Sequence, residues 1–310
     1  MGRLTASLLA AMILAWAMAE PAAATFPGRP GKIAFSRSSA RTFPSNGDIW
    51  TETRSGRQRR LTHTRRVDET DPVFSPNGRT IAYVRRAGGN ADIWVMRANG
   101  TRKRLLIGGS FDELQPSFYP SGRSLVFTNF DGGRSWTVYS IRLNGSRVMR
   151  QVPNATFPVV TRNGRFLAYS AAGAGGGIRI RDLRSGRTRR LTTGSAQQLD
   201  ISPSGNRIVF TGQRPCRRGG RLRFGLLSVG LRTGDVSKLR LSCRREFIMP
   251  AYSPNGRRIA FVHKKLARTG AGLGFRLGIM RPGGAPAGGA PRHRRGTNEI
   301  DPAWQPRPRR

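Results

Sequence analysis

The chain has 310 residues and carries 55 Lys and Arg against 16 Asp and Glu, a formal net charge of +39. The length leaves no room for two domains of ordinary size once a leader is removed, and after Ala19 no segment approaches the ~18 apolar residues of a membrane helix. Such a charge draws a protein toward polyanions, but cations spread through the whole chain suit a compositional bias on solvated faces equally well.

The first element is a leader. Met1-Gly2-Arg3 is followed by an apolar stretch from Leu8 to Ala19 and by small residues at Ala22-Ala23-Ala24, the pattern of a secretory signal peptide over residues 1–24. Residues 25–310 are then expected to form one domain outside the cytoplasm.

From Gly31 onward a short phrase returns, a turn followed by a small apolar strand. It begins as a half copy, Gly31-Lys32-Ile33-Ala34-Phe35. It recurs at Phe74–Tyr83, Phe118–Phe127, Val160–Tyr169, Ile201–Phe210 and Tyr252–Phe261, and it ends as the other half, Asp301-Pro302-Ala303-Trp304-Gln305-Pro306. A unit of roughly 40 to 50 residues whose terminal fragments complete each other predicts a closed ring of blades. The fold class is all-β, a six-bladed propeller with four antiparallel strands per blade, in which the C-terminus supplies the innermost strand of the N-terminal blade. The second unit shows why. Asp71–Ser75 reads as an inner strand, Pro76-Asn77-Gly78-Arg79 as a tight turn with Pro fixing φ and Asn-Gly supplying positive φ, and Thr80–Arg85 as a second strand. Asp92–Arg97 and Arg102–Ile107 complete the blade around Asn99-Gly100. Ile81, Tyr83, Ile93 and Val95 are expected to face neighbouring blades, and Trp94 to pack between them.

Two stretches lengthen the repeat. Cys216–Arg223 is basic and Gly-rich, and Arg281–Gly296 holds Pro and Gly clusters before Arg292-His293-Arg294-Arg295. Both read as mobile surface loops. Arg292, Arg294 and Arg295 form a candidate polyanion-binding cluster. Cys216 and Cys243 fall in one repeat and are expected to pair in an oxidising compartment.

Catalytic signals are weak. His63, His263 and His293 occupy different positions of three repeats, so no metal-binding His cluster is expected. No Gly-x-Ser-x-Gly elbow occurs, and no cofactor motif is found. The remaining constellation is acidic: Glu69 and Asp71 align with Glu299 and Asp301, and Glu113 aligns with Glu69. All precede or open an inner strand, which places them near one mouth of the central channel. They can hold a cation, receive the basic end of a peptide, or pair with neighbouring arginines. The other three repeats have Ala155 and Phe157, Ala196 and Gln198, and Phe247 and Met249 there, so half of the mouth is expected to be neutral.

Asp48-Ile49-Trp50, Arg59-Arg60-Leu61-Thr62, Asp71–Gly78 and Ile81-Ala82-Tyr83 together resemble the WD40-like (PD40) repeat of TolB-type six-bladed propellers, over residues 26–310. The later repeats are degenerate, with Ser-Pro lost at Val160-Thr161-Arg162-Asn163. The resemblance implies an exported stand-alone propeller, without the α/β domain or hydrolase domain that accompanies related rings. The expected function is a monomeric, non-enzymatic scaffold binding a protein or peptide partner at one face or channel mouth, with an anionic cell-envelope polymer as the alternative ligand and a propeller enzyme third.

Overall fold

A computed structural model describes residues 26–39, 46–133, 135–173, 175–217, 220–266 and 274–307. The expected leader, residues 1–24, lies outside them. The described residues form six antiparallel sheets. Their innermost strands are Thr297–Arg307 (blade 1), Asp68–Phe74 (blade 2), Asp112–Phe118 (blade 3), Ala155–Val160 (blade 4), Ala196–Ile201 (blade 5) and Arg245–Tyr252 (blade 6). Each inner strand touches the next, and that of blade 6 touches that of blade 1, so the sheets close into a ring.

Blade 1 joins the two ends of the chain. Its C-terminal inner strand pairs with Arg29–Ser39, placing Trp304 opposite Ile33 and Ile300 opposite Ser36, and two further strands from the N-terminal region complete the sheet. Five sheets have four strands; the sixth has three, with an isolated Met280–Pro286 bridge where a fourth would run.

The core lies between blades. Leu61 and Ile49 of blade 1 pack with Phe74, Ile81 and Tyr83 of blade 2, all at most 3% exposed. Ile93 and Val95 point to the other side of the same sheet and join blade 3 through Phe118 and Phe127. The alternating pattern thus buries both faces of each blade, at about 1.5–3 kcal/mol for each large apolar side chain. Trp94 is only half buried against its cluster, with the Arg85 guanidinium 4.9 Å from its ring.

Strand direction gives the ring two distinct faces. Five of the six inner strands end in a Pro-Asn-Gly-type turn, and the C-terminal strand of blade 1 ends at the same level beside Gly31, so these turns gather on one face, here the turn face. The connections into each inner strand gather on the other, the loop face. Cys216 and Cys243 are bonded, with Cα atoms 5.3 Å apart, and tie a loop of blade 5 to the connection entering blade 6 on the loop face.

Candidate functional site

The same irregularity interrupts all six inner strands. Their pairing with the second strand slips at Asp71, Gln115, Phe157, Gln198, Met249 and Asp301, and all six have φ between 52 and 58°. A non-glycine residue in this region costs roughly 1–2 kcal/mol, and the bulge re-aims its side chain. Five of the six precede Pro, which donates no ladder hydrogen bond, so the sequence Asp-Pro, Gln-Pro, Phe-Pro or Met-Pro marks the break.

What occupies the bulge decides its chemistry. In blades 3 and 5 it is glutamine. Thr128 Oγ1 donates to Gln115 Oε1 at 2.7 Å, and Thr211 Oγ1 to Gln198 Oε1 at 2.6 Å. The same oxygens accept the backbone N–H of the next blade's bulge, from Phe157 at 2.7 Å and Met249 at 3.0 Å. These neutral bulges are stitched to their neighbours and satisfied.

Blades 1 and 2 carry aspartates instead. Asp301 Oδ2 faces the Asp71 N–H at 3.5 Å, the counterpart of the glutamine stitch. However, Val84 stands in blade 2 where blade 3 has Thr128, and Ser36 of blade 1 donates to the Glu69 carbonyl instead. Asp71 and Asp301 are each 1% exposed. Both carboxyl oxygens of Asp71 and Oδ1 of Asp301 lack a hydrogen-bond partner. Burial, reinforced by the nearby Asp68 charge, holds the Asp301 carboxyl well above the usual carboxylate range.

Three glutamates stand at the strand starts, and the structure separates them. Glu69 accepts from Thr64 at 3.1 Å and lies 3.9 Å from the Arg85 guanidinium. Glu113 accepts from Asn129 at 3.0 Å, and burial, aided by Asp92 and Asp112, pushes it up to about 7. Each keeps one buried oxygen without a partner.

Glu299 differs from these two. Arg37 donates to its Oε1 from Nε and Nη2 at 3.2 and 2.9 Å, His293 Nδ1 lies 3.1 Å from Oε2, and the Arg294 N–H donates to Oε1 at 3.3 Å. The guanidinium is itself sandwiched against Trp50 and Phe35, 4.7 and 5.1 Å from their rings. Glu299 is therefore the anchor of a buried ion pair and not an open mouth contact.

The expected cluster Arg292, Arg294 and Arg295 is divided by the same anchor. The Arg292 N–H donates to Glu52 Oε2 at 3.0 Å, and its carbonyl accepts from Gln58 at 2.7 Å. It lines a groove of about 600 Å³ with Arg54, Arg257 and Arg258 on the turn-face side. Arg294 and Arg295 lie exposed beside Glu299 on the loop face. These residues form no single patch, and the segment is fastened by backbone as well as side-chain bonds, among them Ala287 N–H to Ile279 O at 2.9 Å.

The candidate site is thus an arc over blades 1–3 on the loop face, with Asp71 and Asp301 innermost and Glu69 and Glu113 behind them. Asp68, Asp92 and Asp112 form its half-buried rim. Among the described residues no three His, Cys, Asp or Glu side chains converge closely enough to hold a metal ion. Sequence reasoning missed Arg37, whose only signal is an Arg two residues after the apolar run Ile33-Ala34-Phe35. It also missed the basic residue that directly follows five of the six turn glycines.

A family model described as the TolB beta propeller domain (PD40) matches residues 43–224. Among solved structures, TolB from Acinetobacter baumannii superposes with a TM-score of 0.71 at 22% identity, over 89% of this chain and 67% of that one. The structure of a putative TolB from Agrobacterium tumefaciens gives 0.62 at 17%, over 83% and 87% of the two chains. Hydrazine synthase from Kuenenia stuttgartiensis gives 0.69 at 15%, over 92% of this chain and 48% of that one. No curated protein sequence matches the chain significantly.

Proposed function

Because the chain belongs to the TolB β-propeller family, we propose that it is an exported, monomeric and non-enzymatic scaffold that binds a protein or peptide partner at the loop-face mouth of its channel. The observation that carries this reading is the Asp71–Asp301 pair: two buried carboxyl groups with three unpartnered oxygens, in a chain of net charge +39. A buried polar group without a partner costs roughly 1–3 kcal/mol. A ligand that supplies donors there relieves that cost.

The matching chemistry is a cationic donor, the free N-terminus of a peptide or a Lys or Arg side chain. Asp71 and Asp301, each 1% exposed, receive it when the strands around them part, with Glu69 and Glu113 behind them. The likeness to hydrazine synthase, at 15% identity, extends to the fold alone. Export is supported by the leader read in residues 1–24 and by the Cys216–Cys243 bond. Among the described residues no helix is long and apolar enough to cross a membrane.

The test is a pull-down from envelope and secreted fractions with the wild-type protein and an Asp71→Asn/Asp301→Asn variant. The amides keep the shape and one acceptor oxygen each while removing the charge. A partner retained by the first and lost by the second, with unchanged melting, is the expected result. Equal retention by both removes the mouth from the reading.

A further inference from the structure

The turns on the opposite face form a second ring with its own chemistry. In five repeats the turn glycine is followed at once by a cation, Lys32, Arg79, Arg123, Arg165 and Arg257, and in blade 5 Arg207 follows one residue later. The five arginines are exposed and Lys32 is half buried. Along the chain they look like scattered composition. In the ring five of them fall at the same corner of their blades, while Asn206 holds that corner in blade 5 and Arg207 stands one position further along, donating to Ser228.

Most of the turns carrying them touch a neighbour, although a Cβ on Gly205 of blade 5 would meet nothing within 4 Å. A Cβ added to Gly122 would lie 3.4 Å from the Pro76 ring, one on Gly164 4.0 Å from Pro120, and one on Gly256 3.7 Å from Pro203. The Gly28 N–H donates to the Pro254 carbonyl at 3.1 Å, so the N-terminal segment joins the same rim. Inside this rim lies a cavity of about 950 Å³ lined by turn prolines and by Arg29, Arg162 and Arg257.

Little on this face neutralises these charges. Strand direction places four of the described carboxylates toward this end, and three are occupied. Glu52 accepts from Gln58 and the Arg292 N–H, Asp182 pairs with Arg165 at 2.9 Å, and the buried Asp200 accepts from the Tyr252 and Ile201 N–H groups. The fourth is Asp235. The Lys32 ammonium is held below its usual range by burial and then by Arg59, Arg307 and Arg57.

We infer that the turn face binds a linear phosphodiester polymer, whose phosphates bridge successive turn arginines around the rim while a stretch of chain dips into the Arg29–Arg162–Arg257 cavity. Three features select this ligand. Guanidinium forks grip phosphate through two parallel hydrogen bonds, which a lysine cannot do. Cations repeated blade by blade match charges repeated along a chain rather than one compact anion. The concave centre accepts a flexible chain and leaves a flat bilayer out of contact with the innermost arginines. Nothing here rests on the acidic mouth, which lies at the other end of the channel.

The experiment measures binding of single-stranded DNA and of poly(glycerol phosphate) to the full mature chain across a salt series, with poly-glutamate and anionic phospholipid vesicles as comparison probes. Two variants of equal net charge are compared: Arg79, Arg123, Arg165 and Arg257 to Gln on the turn face, and Arg65, Arg244, Arg294 and Arg295 to Gln on the loop face. All eight side chains are exposed, and melting curves check that both variants fold.

Both phosphodiester polymers should bind, with a salt slope near −4 if about six phosphates are engaged. The turn-face variant should lose about 3 of that slope, and the loop-face variant should keep it. Binding by only one of the two polymers would name the source. Equal loss in both variants would reduce the effect to the diffuse field of the whole protein and overturn the proposal. So would poly-glutamate or vesicle binding as tight as that of the phosphodiesters.

Discussion

The loop face and the turn face are made from the same six repeats, yet one collects most of the protein's few carboxylates and the other is lined with arginine. The difference follows from strand direction. Residues that open the inner strands, such as Glu69, Glu113 and Glu299, are carried to one end of the channel, and residues that follow the turn glycine are carried to the other. A charge that is periodic in sequence therefore becomes a face in space. An even distribution of Arg through the repeats is no sign of an even distribution over the surface.

The comparison depends on closure, and closure is where it breaks first. Deleting residues 299–310 removes most of the inner strand of blade 1, with Asp301 from the mouth and the partner of Ile33–Ser36. The expected result is loss of cooperative melting and aggregation through the exposed strand edge. A truncated chain with unchanged melting would mean that the two faces do not need the ring.

Next in size is the ion pair that separates the fully partnered carboxylate, Glu299, from the partly unpartnered ones. Arg37→Met leaves Glu299, 0% exposed, without its guanidinium partner and with only His293 and the Arg294 N–H beside it. The expected cost is about 3–5 kcal/mol, with much of it recovered in the Arg37→Met/Glu299→Gln double variant. A denaturant titration of the three proteins checks this. A small loss in the single variant would return Glu299 to the set of available mouth contacts.

On the turn face two glycines with the same φ of +68° separate clasp from rim. A Cβ on Gly78 would lie 2.1 Å from the Pro306 carbonyl oxygen, whereas one on Gly122 meets only the edge of the Pro76 ring at 3.4 Å. Gly122→Ala is expected to cost about 1 kcal/mol for its backbone conformation. Gly78→Ala adds roughly 1–3 kcal/mol for displacing the clasp strand. Equal costs would argue that the C-terminal strand is not seated beside that turn.

The smallest expected effect is a pH dependence confined to the loop face. The Glu113 carboxyl is raised in the folded protein to about 7 from 4.5, so its contribution to stability is fully present below the unfolded value and is lost as pH rises through about 7. Asp301, Asp68 and Glu69 are raised as well and act in the same direction. The wild-type protein is therefore expected to lose stability between pH 5 and 8 through these groups. Glu113→Gln should narrow that loss by about 1–2 kcal/mol after allowing for solvent screening, or about 2–4 °C in Tm for each kcal/mol. Melting at the two pH values decides it. A variant with the wild-type pH dependence contradicts the assignment.

Much of this architecture was legible in the sequence because it repeats. Pro76-Asn77-Gly78 and its relatives mark the turns, the two half units specify the clasp, and the alignment of Glu69, Asp71, Glu113, Glu299 and Asp301 picks out the buried carboxyl groups on the inner strands of blades 1–3. The roles within that mouth were not legible, because each depends on what another strand offers. Asp71 is unsatisfied since Val84 stands where blade 3 has Thr128, and Glu299 is satisfied by Arg37, which is 262 residues away in sequence. Likewise, the segment from Arg281 to Gly296 reads as a mobile loop by composition, yet Glu52, Gln58 and Glu299 hold it down. Composition carries no information about such distant partners.

The central claim is that the loop-face mouth, and no other part of this cationic protein, receives a positively charged group. A short lysine-rich peptide with a free N-terminus is the direct probe, read by fluorescence anisotropy against the wild-type protein, Asp71→Asn/Asp301→Asn and the turn-face variant of Arg79, Arg123, Arg165 and Arg257 to Gln. Binding should weaken with salt, fall at least about tenfold, or 1.4 kcal/mol, in the aspartate variant, and persist in the arginine variant. A peptide that binds the aspartate variant as well as the wild type, or that gains affinity only when the turn arginines are removed, would contradict the account.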